Sequence, residues 1–315
     1  MISCGSRSAC RTDGAAPSSF MQADFFSADH SVAYRNDVIL ALEQDDASAA
    51  QLAWNALDQH CPADDCLPAL RVLIEALGAQ SHAVFQDHAA LNLARQALQN
   101  DISPAARRGM GVAATTWLCK RWKQLALRAA ALAYRADHCE DHAAPLWLCA
   151  GEWQAAAEAA ASIASWRRIP APLSWMLHAQ LRLHGVQPYW GLLAELAWLS
   201  PSRLRRVVQD SADPILLSWV QKFEQKFEVC GEVGADGGLS DLAWFPAWLL
   251  TERSDWAAHL TRAQASQNTP PEQAMCALLE LLGLEHQGRH HDVIARRKSL
   301  RDLNLPLYAA YMASR

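Results

Sequence analysis

The chain has 315 residues, of which 51% are hydrophobic, so it can either bury one large core or repeat a small unit many times. Its formal net charge of −5 argues against a nonspecific nucleic-acid surface and against an anionic membrane surface, because both require a positive excess. No apolar run approaches the roughly eighteen residues of a transmembrane helix, and we predict a soluble protein with no membrane contact.

The N-terminal segment is rich in serine, glycine and arginine and has no apolar stretch of the kind found in secretory signals. We predict that residues 1–30 form a disordered tail. The sequence leaves open whether translation begins at Met1 or at Met21, since the helical pattern starts soon after the second methionine.

The nine cysteines are an odd number and include no C-x-x-C pair, unlike the framework of a disulfide-rich secreted protein. Cys119, Cys149 and Cys276 lie among apolar residues of helical pattern. Free thiols of this kind are typical of a reducing compartment, so we predict that the protein is cytoplasmic.

Alanine and leucine dominate the chain and β-branched residues are few, which favours helix over strand. One clear apolar stripe of helical period consists of Leu67, Leu70, Leu73, Ile74 and Leu77. We predict an all-α protein of roughly a dozen helices joined by short loops.

Four predicted helix starts share one signature, an N-capping side chain followed by proline, whose missing N–H and fixed φ suit the first helical turn. They are Ser103 before Pro104, Ser200 before Pro201, Asp213 before Pro214 and Thr269 before Pro270. Thr269 is also followed by Glu272 at the spacing of a capping box. We expect a helix to begin at each of these points.

The middle of the chain repeats itself: "WLCKRWKQLALRAA" begins at Trp117 and "WLCAGEWQAAAEAA" begins at Trp147. When Trp122 is aligned with Trp153, small residues coincide, and Ala126 falls on Ala157. A period of thirty-odd residues is typical of helical-hairpin solenoids, in which each unit buries its apolar face against its neighbours. We therefore expect the two alanines to occupy equivalent, closely packed positions.

The segment Gly151-Glu152-Trp153-Gln154-Ala155-Ala156 resembles the opening of the second helix of a tetratricopeptide repeat, with Ala144 and Trp147 at matching positions of the first helix. Similar phrases occur at residues 49–62 and 288–293. The resemblance implies a right-handed α-helical hairpin solenoid whose motif specifies packing. We predict a helical-repeat array over residues 31–229, a glycine-rich linker at 230–240 and C-terminal helical hairpins at 241–315.

Two stretches contain candidate metal ligands: His138, Cys139 and His142 in one, and His60, Cys61 and Cys66 in the other. Neither fixes the four ligands usual for a soft metal. The glycines of residues 231–238 lack the preceding strand and the positive charge of a nucleotide-binding loop, and no nucleophile motif is present. We predict no metal, no small-molecule cofactor and no enzymatic activity.

The remaining interpretation is a protein-interaction scaffold that binds a helical or extended peptide segment of another protein on a concave surface. Candidate partner-binding residues are Trp153, Trp190, Arg296, Arg297 and Arg301, with Trp190 expected to be exposed near a loop. One alternative is a carbohydrate-active or other enzyme on an (α/α) toroid. A second is a helical-repeat nucleic-acid binder that uses this arginine cluster together with Arg203, Arg205 and Arg206.

Overall fold

The computed structural model describes residues 19–227, 239–264 and 269–315, and within these ranges the chain is α-helical with no β-strand. The all-α prediction is therefore confirmed. In chain order the helices are α1 Ser19–Glu43, α2 Ala47–His60, α3 Leu67–Gly78, α4 His88–Ala97, α5 Ser103–Met110, α6 Ala114–Ala129, α7 Ala143–Ala150, α8 Trp153–Ala161, α9 Pro170–His184, α10 Trp190–Leu199, α11 Pro201–Ser211, α12 Pro214–Lys226, α13 Phe245–Glu252, α14 Ala257–Leu260, α15 Pro270–His286, α16 His290–Leu303 and α17 Leu305–Ala313.

The chain divides into two compact units, one made of residues 1–81 with 99–117 and the other of residues 82–98 with 118–315. Residues 1–18 of the tail predicted at 1–30, and residues 230–238 of the linker predicted at 230–240, lie outside the described residues. The rest of the predicted tail, residues 19–30, belongs to α1, and residues 239 and 240 begin a short 3₁₀-helix. None of the described helices is both long enough and apolar enough to span a membrane.

The first unit is built on α1, α2, α3 and α5, with α1 packed on α2, α2 on α3, and α3 on α5. All five residues of the apolar stripe predicted on α3, from Leu67 to Leu77, are buried, as the spacing indicated. At the contact between α3 and α5, a Cβ added to Gly109 would lie 3.1 Å from Cδ2 of Leu70, so the absence of a side chain allows this close approach.

The predicted helix starts agree with the structure at three of the four proline positions. Helices α11, α12 and α15 begin at Pro201, Pro214 and Pro270. Asp213 caps α12, because its carboxylate accepts hydrogen bonds from the backbone N–H groups of Ile215 and Leu216 at 2.9 and 3.0 Å.

The fourth predicted start differs, because a π-helical turn, Leu98–Ile102, runs directly into α5 at Ser103. The side chains that precede α11 and α15 also do not cap them, since neither the Ser200 nor the Thr269 hydroxyl accepts a hydrogen bond from a backbone N–H of the helix that follows. Proline thus marks where these helices begin, even where the side chain before it makes no cap.

In the second unit, consecutive helices form hairpins, and neighbouring hairpins contact one another. Helix α8 packs against both α7 and α9, and helix α10 packs against both α9 and α11. The first helices of these hairpins also meet directly, because α7 contacts α9 and α9 contacts α11. Gly151 ends α7 and Gly185 ends α9, both with positive φ, of 75° and 73°, a conformation that glycine adopts without strain. The three helices α7, α9 and α11 therefore share one side of this part of the unit.

The other side of the hairpins packs into an aromatic core. Trp190 on α10 stacks on Trp256 with ring centroids 4.5 Å apart, and Phe223 on α12 makes edge contacts with Phe245 and Trp248 at 5.6 and 5.4 Å. Aromatic pairs in these arrangements add to the stabilisation from area burial alone. Tryptophan thus serves mainly as core material in this half of the chain.

Candidate functional site

A pocket of about 290 Å³ lies where α7, α9 and α11 meet. Its lining comes from one face of each helix, because residues three and four positions apart lie on the same side of a helix. The lining includes Leu148 and Cys149 of α7, Trp175 and His178 of α9, and Arg203, Arg206, Val207 and Asp210 of α11, together with Glu140 before α7. Trp175 and Val207 are buried, whereas Arg206 and Asp210 are exposed at the opening.

Trp175 is held in place by aromatic neighbours on the side of α7. Its ring stacks on that of His142, with centroids 5.7 Å apart and an angle of 3° between the planes. Tyr134 makes edge contacts with both rings, at 6.0 and 6.1 Å. The wall of the pocket is therefore fixed by packing before any ligand binds.

His142 also caps α7, since its Nδ1 accepts a hydrogen bond from the backbone N–H of Ala144 at 3.2 Å. Only an imidazole with an unprotonated Nδ1 can accept this bond. Burial of the ring, reinforced by the charge of His88, lowers the pKa of His142 to about 4. The neutral imidazole thus contributes both to the N-terminus of α7 and to the position of Trp175.

Asp141, the residue before His142, joins α4 to the start of α7. Its buried carboxylate accepts hydrogen bonds from Arg95 at 2.8 Å and Asn92 at 2.9 Å, and lies 3.3 Å from Nδ1 of His138. Burial alone would raise the pKa of Asp141, but the hydrogen bonds from Arg95 and Asn92 hold it below its usual value. The role of this carboxylate is to tie two segments together.

The candidate metal ligands near this position point to different partners. His138 contacts Asp141 and stacks on His88 at 5.4 Å, while His142 stacks on Trp175 and Cys139 lies beside Glu140. In the ranges that the structure describes, no three His, Cys, Asp or Glu side chains are grouped so as to hold a metal ion.

The charged residues of α11 differ from one another in their surroundings. Arg205 forms an ion pair with Glu224 of α12, and one Nη atom of Arg203 lies 3.7 Å from the carboxylate of Glu140. The side chain of Arg206 makes no hydrogen bond or ion pair to any part of the chain that the structure describes, and the same is true of the side chain of Asp210. The opening of the pocket therefore presents one cation and one anion, one helical turn apart, that are open to a ligand.

The pocket also brings together a thiol, an imidazole and a carboxylate, from Cys149, His178 and Asp210. Although part of Cys149 is exposed to solvent, the protein atoms around its thiol desolvate it and raise its pKa to about 11, with Glu140 and Asp210 acting in the same direction, so the thiol is protonated at neutral pH. Burial lowers the pKa of His178, although Asp210 opposes this. A cysteine nucleophile requires a lowered thiol pKa, so these residues do not have the electrostatics of a catalytic cysteine site.

Trp190, the first candidate for a partner contact, is fully buried, and the expectation that it is exposed is wrong. The physical reason is that α10 packs against α9, α11, α13 and α14, so almost its whole surface is buried. At the next residue, Gly191, an added Cβ would lie only 3.0 Å from the backbone nitrogen of Ala263. Apart from Glu195, the run "WGLLAELAWL" is apolar on every side of a helix, which is the sequence signal of a buried helix.

Trp153, the second tryptophan candidate, is half-buried at the start of α8. Its ring lies 5.7 Å from that of His178, and the guanidinium of Arg182 lies 4.8 Å from its centroid. Because His178 lines the pocket, Trp153 supports the pocket from behind through that imidazole.

The arginine candidates on α16 are already paired with acidic residues. Arg296 forms an ion pair with Glu280 beside a cleft of about 560 Å³ between α15 and α16, and Arg301 lies 3.6 Å from Asp302. Arg297 lies 3.1 Å from Glu285. Their predicted role in partner binding stays a prediction, but much of their charge is balanced within the C-terminal hairpin.

Sequence reasoning did not identify Trp175, His178 or Asp210 as site residues. The available signal was the spacing on α11, where Arg203, Arg206 and Asp210 recur every three or four residues and so share a face. That spacing could show that the face exists, but not which helices lie opposite. No protein-family model, curated protein or solved structure matches this chain.

Proposed function

We propose that this chain is a protein-interaction module that captures a helical or extended segment of another protein on the face formed by α7, α9 and α11. The observation that carries the proposal is the pocket itself, to which the first helices of three consecutive hairpins contribute apolar residues, while α11 and Glu140 supply the charged residues. Binding sites of this composition use the apolar part for affinity and the charges for specificity.

The proposal includes a right-handed solenoid similar to tetratricopeptide repeats. Two features support this arrangement: α7, α9 and α11 contact one another in sequence order, and Gly151 and Gly185 end the first helices of successive hairpins with positive φ. The buried alanines of α8, Ala156, Ala157 and Ala160, are small enough to allow the close helix approach that such stacking requires.

We also propose that the module works in a reducing cytoplasm. The cysteines in the described ranges are free thiols, among them Cys149 at the pocket, and free thiols persist in such a compartment.

Site-specific photo-crosslinking in cells that express the chain tests the proposal. A benzophenone amino acid is placed at position 210, at the opening of the pocket, or at position 154, on the exposed side of α8 in the neighbouring hairpin. We expect a discrete protein adduct from position 210 and none from position 154. Adducts of equal yield at the two positions, or no adduct at position 210, would refute capture on this face.

A further inference from the structure

The volume and lining of the α7–α11 pocket limit what can enter it. At about 290 Å³ it lies just below the range typical of small-molecule sites, which leaves room for one bulky side chain and its nearest neighbours. The buried part of the lining is apolar, with Trp175 and Val207 most enclosed and Leu148 beside them. An apolar side chain therefore suits the interior of the pocket.

The pocket is also prepared for binding before a ligand arrives. Stacking on His142 fixes Trp175, and the hydroxyl of Ser174 donates a hydrogen bond to the backbone carbonyl of Ala171 at 2.7 Å. Groups that are already ordered lose less conformational entropy when a ligand binds. A single well-placed side chain can thus act as an anchor here.

The exposed guanidinium of Arg206 at the opening allows an acidic neighbour for that anchor. The pocket lining holds two arginines, Arg203 and Arg206, and two carboxylates, Glu140 and Asp210. Glu140 already lies 3.7 Å from Arg203, whereas the guanidinium of Arg206 is exposed and has no ion-pair partner among the described residues. A guanidinium of this kind can bind a carboxylate with two parallel N–H···O bonds.

Asp210 restricts where an acidic group of the ligand can bind. It lies one turn after Arg206 on α11, on the side of the pocket that Cys149 and His178 line, and it would repel a second carboxylate there. An acidic group is therefore accepted beside Arg206 and disfavoured one turn away.

We infer that the α7–α11 pocket binds a bulky apolar side chain of a partner segment whose neighbouring carboxylate pairs with Arg206. This rests on the proposed function, because it names the chemistry of the segment that the same face captures. Specificity resides in Arg206 and Asp210, and affinity in the apolar contacts with Trp175 and Val207.

Three small probes test the inference; they share one indole ring and carry a negative, no or a positive charge on its 3-substituent: 3-indolepropionate, 3-methylindole and tryptamine. Binding to the full-length protein is followed by NMR, from the backbone amide of Val207 and the indole N–H of Trp175. We expect all three to shift these signals, with 3-indolepropionate binding about fivefold more tightly than tryptamine. Replacing Arg206 with Ser should remove this preference while leaving 3-methylindole unaffected.

Two further variants test whether the charge preference comes from the pocket residues. Asp210→Asn should weaken the binding of tryptamine relative to 3-methylindole, and Arg71→Ser, on helix α3, which does not line the pocket, should leave all three affinities unchanged. If none of the probes shifts Val207 and Trp175, or if tryptamine binds as well as 3-indolepropionate, the inference is wrong. Crosslinking from position 210 without probe binding would overturn this ligand chemistry alone, whereas probe binding without crosslinking would overturn the proposed capture of a protein.

Discussion

Helices α11 and α16 both carry clusters of arginine that look alike in the sequence, but in the structure the two clusters differ in how many of their arginines have acidic partners. On α16, Arg296 pairs with Glu280 and Arg297 with Glu285, both from α15, the other helix of the same hairpin. On α11, only Arg205 has a close acidic partner on the next helix, and Arg206 remains open at the mouth of the pocket.

The difference shows that a helix rich in arginine does not necessarily present a positively charged surface. Whether a cation is available to a partner depends on the acidic residues that the fold places within about 4 Å of it, since pairing cancels most of its field. On α16, whose arginines the sequence suggested as partner-binding residues, the charges of Arg296 and Arg297 are balanced by α15. The open guanidinium in this comparison is on α11, beside an apolar pocket.

The largest expected effect comes from the core behind α11. Trp190 on α10 is fully buried against Trp256, so Trp190→Ala should lower the free energy of unfolding by roughly 3–5 kcal/mol. Trp153→Ala, at a half-buried position, should cost no more than about 1.5 kcal/mol. Urea denaturation of both variants measures the difference, and equal losses would contradict the distinction between a core tryptophan and a supporting one.

The next largest effect is a pH dependence of the unfolding free energy, which arises from His142 beside the pocket. Because the folded state keeps the pKa of His142 at about 4, the unfolded chain takes up a proton between pH 6.5 and 4 that the folded chain excludes. Stability from this residue is complete above pH 6.5 and should fall by about 3 kcal/mol as the pH drops to 4.

His142→Asn isolates this contribution, since an asparagine side chain can still cap α7 and does not titrate. Unfolding free energies of the two proteins are compared at pH 7, 5.5 and 4. Other titrating groups are common to both, so the difference between the curves should shrink as the pH falls. A constant difference across this range would contradict the role given to the neutral imidazole.

The smallest expected effect is the difference in stability loss when one arginine of each cluster, on α16 and on α11, is replaced with serine. Arg297→Ser removes contacts at 3.1 Å to Glu285 and 3.3 Å to the hydroxyl of the buried Tyr311, and should cost about 1 kcal/mol. Arg206→Ser removes no such contact and should change stability by less than about 0.5 kcal/mol. Thermal denaturation of the two variants at matched ionic strength measures this difference. A greater loss of stability from Arg206→Ser than from Arg297→Ser would contradict the claim that Arg297 is paired and Arg206 is open.

Much of the helical structure could be predicted because its signals are local. The stripe from Leu67 to Leu77 is buried as its spacing indicated, and Pro201, Pro214 and Pro270 each begin a helix. Both features depend on residues within a few turns of one another, through helical periodicity and the fixed φ of proline. The all-α class follows from the same local preferences summed along the chain.

The candidate site was not predictable in the same way, because its parts lie far apart in the sequence. The apolar run around Trp190 is a local signal of burial, but no local signal brings Glu140, Trp175 and Asp210 together from three hairpins. The sequence by itself determined which segments are helical and which faces are apolar. Only the tertiary structure decided which helices became neighbours, and with them which charges are paired and which are open, because burial and ion pairing depend on contacts between residues far apart in the chain.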